Sequence, residues 1–104
     1  VTDMGSMFAR CPSFNQRIQN WNVSRVSSTR LMFNGATSFN QNLNNWDVSS
    51  VTSMYGMFWD AINFNGDISS WIVSRVTSMR YMFAHAKAFN QPIGAWDVSG
   101  VKDM

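Results

Sequence analysis

The chain contains no glutamate, one cysteine, one histidine and two prolines among 104 residues, and only 13% of it is charged. A single cysteine excludes an internal disulfide and a thiolate zinc site, which need several such ligands. All six acidic residues are Asp, and the net charge is +2. That balance is too weak to point to nucleic acid or an anionic membrane surface. No apolar run approaches the roughly 20 residues of a membrane span. No signal-peptide or lipid-attachment pattern occurs either, so any targeting signal or anchor is expected outside this sequence. What the chain has in quantity is apolar matter: 45% hydrophobic and 14% aromatic residues. Such a composition supports a packed core rather than a disordered tail. The length fits one domain.

The apolar residues recur with a period of 25, without insertion or deletion. Met-Phe stands at Met7-Phe8, Met32-Phe33, Met57-Phe58 and Met82-Phe83. Phe-Asn follows at Phe14-Asn15, Phe39-Asn40, Phe64-Asn65 and Phe89-Asn90. Next come Ile18, Leu43, Ile68 and Ile93, then Trp21, Trp46, Trp71 and Trp96, then Val-Ser at Val23, Val48, Val73 and Val98. Val1, Val26, Val51, Val76 and Val101 open the next unit. A Met column (Met4, Met54, Met79, Met104) is broken only by Thr29. A unit this short cannot bury its own apolar face, so its neighbours must cover it.

Within one unit, Val51, Met54, Met57, Phe58 and Ala61 fall inside an arc of about 120° on a helical wheel. This predicts a short amphipathic helix, with Ser49 as its N-cap and Asp47 at its positive end. Trp71 and Val73 alternate and predict a short inward-facing strand, paired in parallel with its copies. The expected fold class is therefore an α/β repeat solenoid: a leucine-rich-repeat-like right-handed coil with one short helix and one short parallel strand per unit. Residues 1–104 form a single solenoid domain of about four repeats. Neither end shows a polar cap, so the sequence reads as part of a longer array whose uncapped ends invite self-association.

The order Ile-x-x-Trp-x-Val matches leucine-rich-repeat core spacing, and the rest of the unit resembles the BspA type of that repeat. The string FNQNLNNWDVSSVTSMYGMF, Phe39 to Phe58, resembles the palindromic amphipathic repeat, or PARCEL, domain of mycoplasma-type lipoproteins. The resemblance covers essentially the whole chain. It implies a solenoid at the cell surface or secreted, and it carries over no catalytic residue.

Catalysis finds little support in the residues. His85 is alone, in a column holding Arg10, Gly35 and Asp60, and a general base needs partners. Cys11 shares the column of Ala36, Ala61 and Ala86 and reads as packing. Asp47 and Asp97 lie two rungs apart, about 10 Å at sheet spacing, and make neither a metal cage nor an acid/base pair. No cofactor or metal is expected. The Asn15, Asn40, Asn65 and Asn90 column reads as a ladder that satisfies backbone groups.

Function is therefore expected where units differ. One candidate surface is the outward face of the strands: Asn22, Asp47, Ile72 and Asp97. The other is the helix exterior: Leu31, Tyr55, Trp59 and Tyr81, with Tyr55 between Arg30 and Arg80 in its column, where cation–π contact is open to it. These aromatics form an exposed hot spot, or else Trp59 folds over Gly56 and covers the core. The expected function is a non-enzymatic, surface-exposed module for adhesion or for ligand or protein binding. Its expected partner is a protein or glycan of a host or neighbouring cell. The alternative is a structural spacer within a large bacterial surface protein.

Overall fold

In each unit six backbone N–H groups donate to the carbonyl three residues back. In the second unit these are Met32 to Thr29, Asn34 to Leu31, Ala36 to Phe33, Phe39 to Ala36, Trp46 to Leu43 and Val51 to Val48, all at 2.9–3.2 Å. Such bonds close β-turns, which are the recurring element of every unit. The chain is seen here in a computed structural model that describes residues 2–103. Val1 and Met104, which belong to the valine and methionine columns, lie outside the described residues.

The other set of N–H groups leaves the unit. Thr29, Leu31, Phe33 and Gly35 donate to Ser53, Tyr55, Met57 and Trp59 of the next one at 2.8–3.1 Å. Met54, Gly56, Phe58 and Asp60 donate in the same way to Ser78, Arg80, Met82 and Ala84 at 2.8–2.9 Å. Turn-closing and unit-linking donors thus alternate along the segment. Isolated parallel bridges join Asp3 to Ser28, Ser28 to Ser53, Ser53 to Ser78 and Ser78 to Asp103.

This corrects the expected α/β fold. Among the described residues there is no helix, and pairing is confined to those single-residue bridges. The leucine-rich-repeat-like solenoid, with a helix and a strand per unit, is therefore not what the chain forms. A helix over Val51–Ala61 would need each N–H to reach four residues back. Here half of them point at the neighbour. Gly56 and Asp60 also sit at φ of 56° and 60°, which ends any right-handed run after a few residues. The segment is rich in Ser, Thr, Gly, Tyr and Trp, which hold a helix poorly. The predicted strand fails for another reason. Trp71 and Val73 do point inward, but their backbones do not pair with the equivalent residues of other units, and the bridges lie at Ser53 and Ser78 instead.

The buried set nevertheless follows the apolar columns. Val51, Met54, Met57, Phe58, Ala61, Phe64 and Ile68 are wholly buried, and Trp71 nearly so. Overlapping turns repeat every two residues or so, and they bring the same Val, Met, Phe and Ala positions inside that a helix would. Two Phe columns pair face to face within a unit, at 3.8 Å (Phe8–Phe14), 4.2 Å (Phe33–Phe39), 4.1 Å (Phe58–Phe64) and 4.2 Å (Phe83–Phe89). Along the column Phe58 lies 5.5 Å from Phe33 and 5.8 Å from Phe83. The indoles stack at 6.5 Å (Trp46–Trp71) and 6.2 Å (Trp71–Trp96). Each of the later three donates its ring N–H to the preceding unit: Trp46 to the Ile18 carbonyl, Trp71 to that of Leu43 and Trp96 to that of Ile68, at 2.9, 2.9 and 3.3 Å. Thr29, in the Met column, is buried and donates its hydroxyl to the Met57 sulfur at 3.2 Å.

The asparagine column is a ladder on the surface. Asn15 Oδ1 accepts the Asn40 N–H, Asn40 Oδ1 that of Asn65, and Asn65 Oδ1 that of Asn90, at 2.8–2.9 Å. The molecule measures 33 × 27 × 20 Å.

Candidate functional site

The two candidate surfaces fare differently. Asn22, Asp47, Ile72 and Asp97 do not lie on a strand face, because no strand exists there. Three of them are occupied locally. The Ser24 N–H and hydroxyl both donate to Asn22 Oδ1, at 3.0 and 2.6 Å. The Ser49 hydroxyl and N–H donate to Asp47 Oδ1 at 2.6 and 3.0 Å. The Ser99 N–H donates to Asp97 Oδ1 at 3.0 Å. These are Asx turns, in which a short side chain stands in for a backbone acceptor. The serines are therefore donors, not helix caps, and Asp47 and Asp97 face no helix end. The donated hydrogen bonds, that of the serine hydroxyl first, hold both carboxyls below the usual carboxylate range. Ile72 lacks this role and is 63% exposed.

Leu31, Tyr55, Trp59 and Tyr81 are brought together, on the exterior of the turn-built segments rather than of helices. Trp59 and Tyr81 stack with centroids 4.8 Å apart and planes at 29°. Tyr55 meets the pair edge-on, 6.5 Å from Trp59 and 5.9 Å from Tyr81. Arg30 lies over the Tyr55 ring at 4.8 Å and Arg80 over that of Tyr81 at 4.9 Å. The Arg80 guanidinium also donates to the Tyr81 hydroxyl at 3.2 Å. Tyr81 stays 41% exposed.

Gly56 makes this assembly fit. Its φ is +56°, and a Cβ there would come within 2.6 Å of Leu31 Cδ2 and 3.3 Å of Trp59 Cε3. Trp59 does lie against Gly56, as the second reading has it, and it is half-buried there with its ring stacked on Tyr81.

Beside the cluster is a cleft of about 390 Å³. Leu31, Tyr55 and Trp59 form its apolar wall, and Arg10, Arg30 and Asp60 its charged rim. Asn34 and Gly35 complete the lining, and the Asn34 amide donates to the Trp59 carbonyl at 3.0 Å. Arg10 and Asp60 escaped the sequence reading as members of this surface. Their column of Arg10, Gly35, Asp60 and His85 differs in every unit, and all four sit at φ between 58° and 73°. That variability was the available signal.

A larger apolar hollow of about 630 Å³ lies on the fourth unit, lined by Met79, Met82, Phe83, Ile93, Trp96 and Val98. These are the same columns that adjacent units cover elsewhere.

The remaining chemistry is sparse. Among the described residues the one contact between a basic nitrogen and a carboxylate is His85 Nδ1 to Asp60 Oδ1, at 3.3 Å and exposed on both sides. No group of three or more metal-ligating side chains occurs among them. Cys11 is half-buried, its thiol facing the Ala9 carbonyl at 3.7 Å. No helix among the described residues is long and apolar enough to cross a membrane.

The family model described as "Mycoplasma protein of unknown function, DUF285" matches residues 2–104, and the chain belongs to that family. No curated protein and no solved structure matches it.

Proposed function

We propose that this member of the DUF285 family is a non-enzymatic binding module of the cell surface or secreted space, which holds a partner against the Leu31, Tyr55, Trp59 and Tyr81 cluster. One observation carries the reading. The clustered aromatics sit where the corresponding residues of other units are small or polar: Trp59 where Ala9, Asn34 and Ala84 stand, and Tyr55 between Arg30 and Arg80. Columns that only build the fold repeat their residue, and these do not. An exposed Tyr81 with half-buried Tyr55 and Trp59 beside it, and Arg30 and Arg80 over the tyrosine rings, has the composition of a binding hot spot. The surface location rests on the resemblance of Phe39–Phe58 to PARCEL and BspA-type repeats.

The test is adhesion of the immobilised 104-residue chain to host-matrix proteins, glycans and cells. Trp59→Ala is expected to abolish capture at temperatures well below its own melting transition, which the lost contacts with Gly56, Tyr55 and Tyr81 lower by a few degrees. Capture that persists in Trp59→Ala, or its absence from the parent, refutes the reading and leaves the module a structural spacer. The turn-bound Asn22, Asp47 and Asp97 are the feature that favours the spacer, because their polar groups are spent on the fold.

A further inference from the structure

We infer that the cleft beside Trp59 takes an acidic peptide segment, its carboxylate held by Arg10 and Arg30 and its apolar neighbour by Leu31 and Trp59. This rests on the proposed binding role and names the partner's chemistry. The two guanidiniums reach the rim from successive units, and among the described residues neither is in an ion pair. The one carboxylate on the rim, Asp60, has His85 Nδ1 at 3.3 Å. Two guanidiniums against one carboxylate leave the rim net cationic. Arg30 lies 4.8 Å over the Tyr55 ring, which orients its planar fork. An Arg fixed in this way suits a carboxylate, which it binds through two parallel N–H donors.

The apolar wall argues for a side chain rather than a sugar ring. A sugar would need a flat aromatic face, but Trp59 is already packed by Gly56, by Tyr81 at 4.8 Å and by Tyr55 at 6.5 Å. What remains beside the arginines is Leu31 and the flank of the indole. A volume of about 390 Å³ is at the small end of ligand pockets and fits one or two side chains.

The experiment is fluorescence anisotropy with a labelled peptide of alternating Glu and Leu, and the same peptide with Gln for Glu, titrated with the intact chain at low salt and at about 0.5 M salt, where charge screening is strong. The Glu peptide is expected to bind and the Gln peptide not. Added salt, Arg10→Gln or Arg30→Gln should each weaken binding about tenfold or more, the range of a lost charge-assisted hydrogen bond. The Arg10→Gln melt should overlay the parent, and Arg30→Gln, which gives up its contact with the Tyr55 ring, should melt slightly lower while staying folded at the assay temperature. Equal binding of the two peptides, or indifference to both Arg substitutions, overturns the acidic-peptide assignment. Binding of heparin but not of the Glu peptide overturns it in favour of a sulfated glycan. In each of these cases Trp59-dependent adhesion still stands or falls by its own assay, so the two readings fail separately.

Discussion

Replacing the same phenylalanine in each of the four units probes how one column shares its load. Phe33 and Phe58 are wholly buried, whereas Phe8 and Phe83 are only partly so. Phe58 has a ring on each side along the column, at 5.5 and 5.8 Å, and another within its own unit at 4.1 Å. Deleting such a ring leaves a closed cavity, and Phe58→Ala should cost about 3–5 kcal/mol, as should Phe33→Ala. At Phe8 and Phe83 less surface returns to water and the gap opens to solvent. The expected cost there is about 1–2.5 kcal/mol. A chain of this length has some 5–15 kcal/mol to lose. The inner variants should therefore unfold at far lower urea concentration than the outer ones. Urea titration followed by tryptophan fluorescence and circular dichroism measures all four. Equal losses at the four positions, or a Phe58→Ala midpoint indistinguishable from the parent, would refute the assignment of the core to the middle units.

Three further outcomes are expected. Gly66→Ala should destabilise by about 1–3 kcal/mol by overpacking, because its Cβ would fall on the Gln41 carbonyl oxygen; an unchanged melting temperature would contradict that close approach. Asn40→Ala should cost about 1 kcal/mol by removing the acceptor of the exposed Asn65 N–H, while Asn40→Asp, which keeps an acceptor, should cost less; equal effects would mean that the acceptor oxygen contributes nothing. Asp47, Asp67 and Asp97 have depressed carboxyl pKa values because Ser49, Ser69 and Ser99 donate to them. Their contribution is complete above the ordinary carboxylate pKa of about 3.9 and is lost as pH falls below it. Replacing all three by Asn should flatten the acid limb of the stability curve, and an unchanged limb would count against these bonds.

The inward set was legible from the sequence because the period of 25 placed Val, Met, Phe and Trp in fixed columns. The path of the backbone was not. Val51, Met54, Met57, Phe58 and Ala61 share a face in a helix and equally in overlapping turns, so hydrophobic spacing alone does not separate the two. The destination of an N–H, back along the chain or across to the neighbour, leaves no hydrophobic trace. Left-handed residues are usually glycine, and Gly35 and Gly56 carry that mark, although the helical spacing around them hid its meaning. Ser6, Arg10, Leu31, Asp60, Tyr81 and His85 adopt the same region without that mark. The aromatic cluster could be read because Trp59 and Tyr55 depart from their columns. Arg10 could not be placed beside it, since it joins the cleft only once the first and second units stack.

Because alternate N–H groups of one unit bond at fixed offsets to the next, the natural increment of change in this gene is a whole 25-residue word. Duplicating or removing a word leaves every joint between neighbours the same kind of joint. Gaining or losing a single codon inside a word shifts Phe, Trp and Val out of line with the columns above and below. Point substitutions at the outward columns escape both constraints. A lineage of such chains can therefore vary in length by units and in surface chemistry by single residues, and the two kinds of variation stay independent.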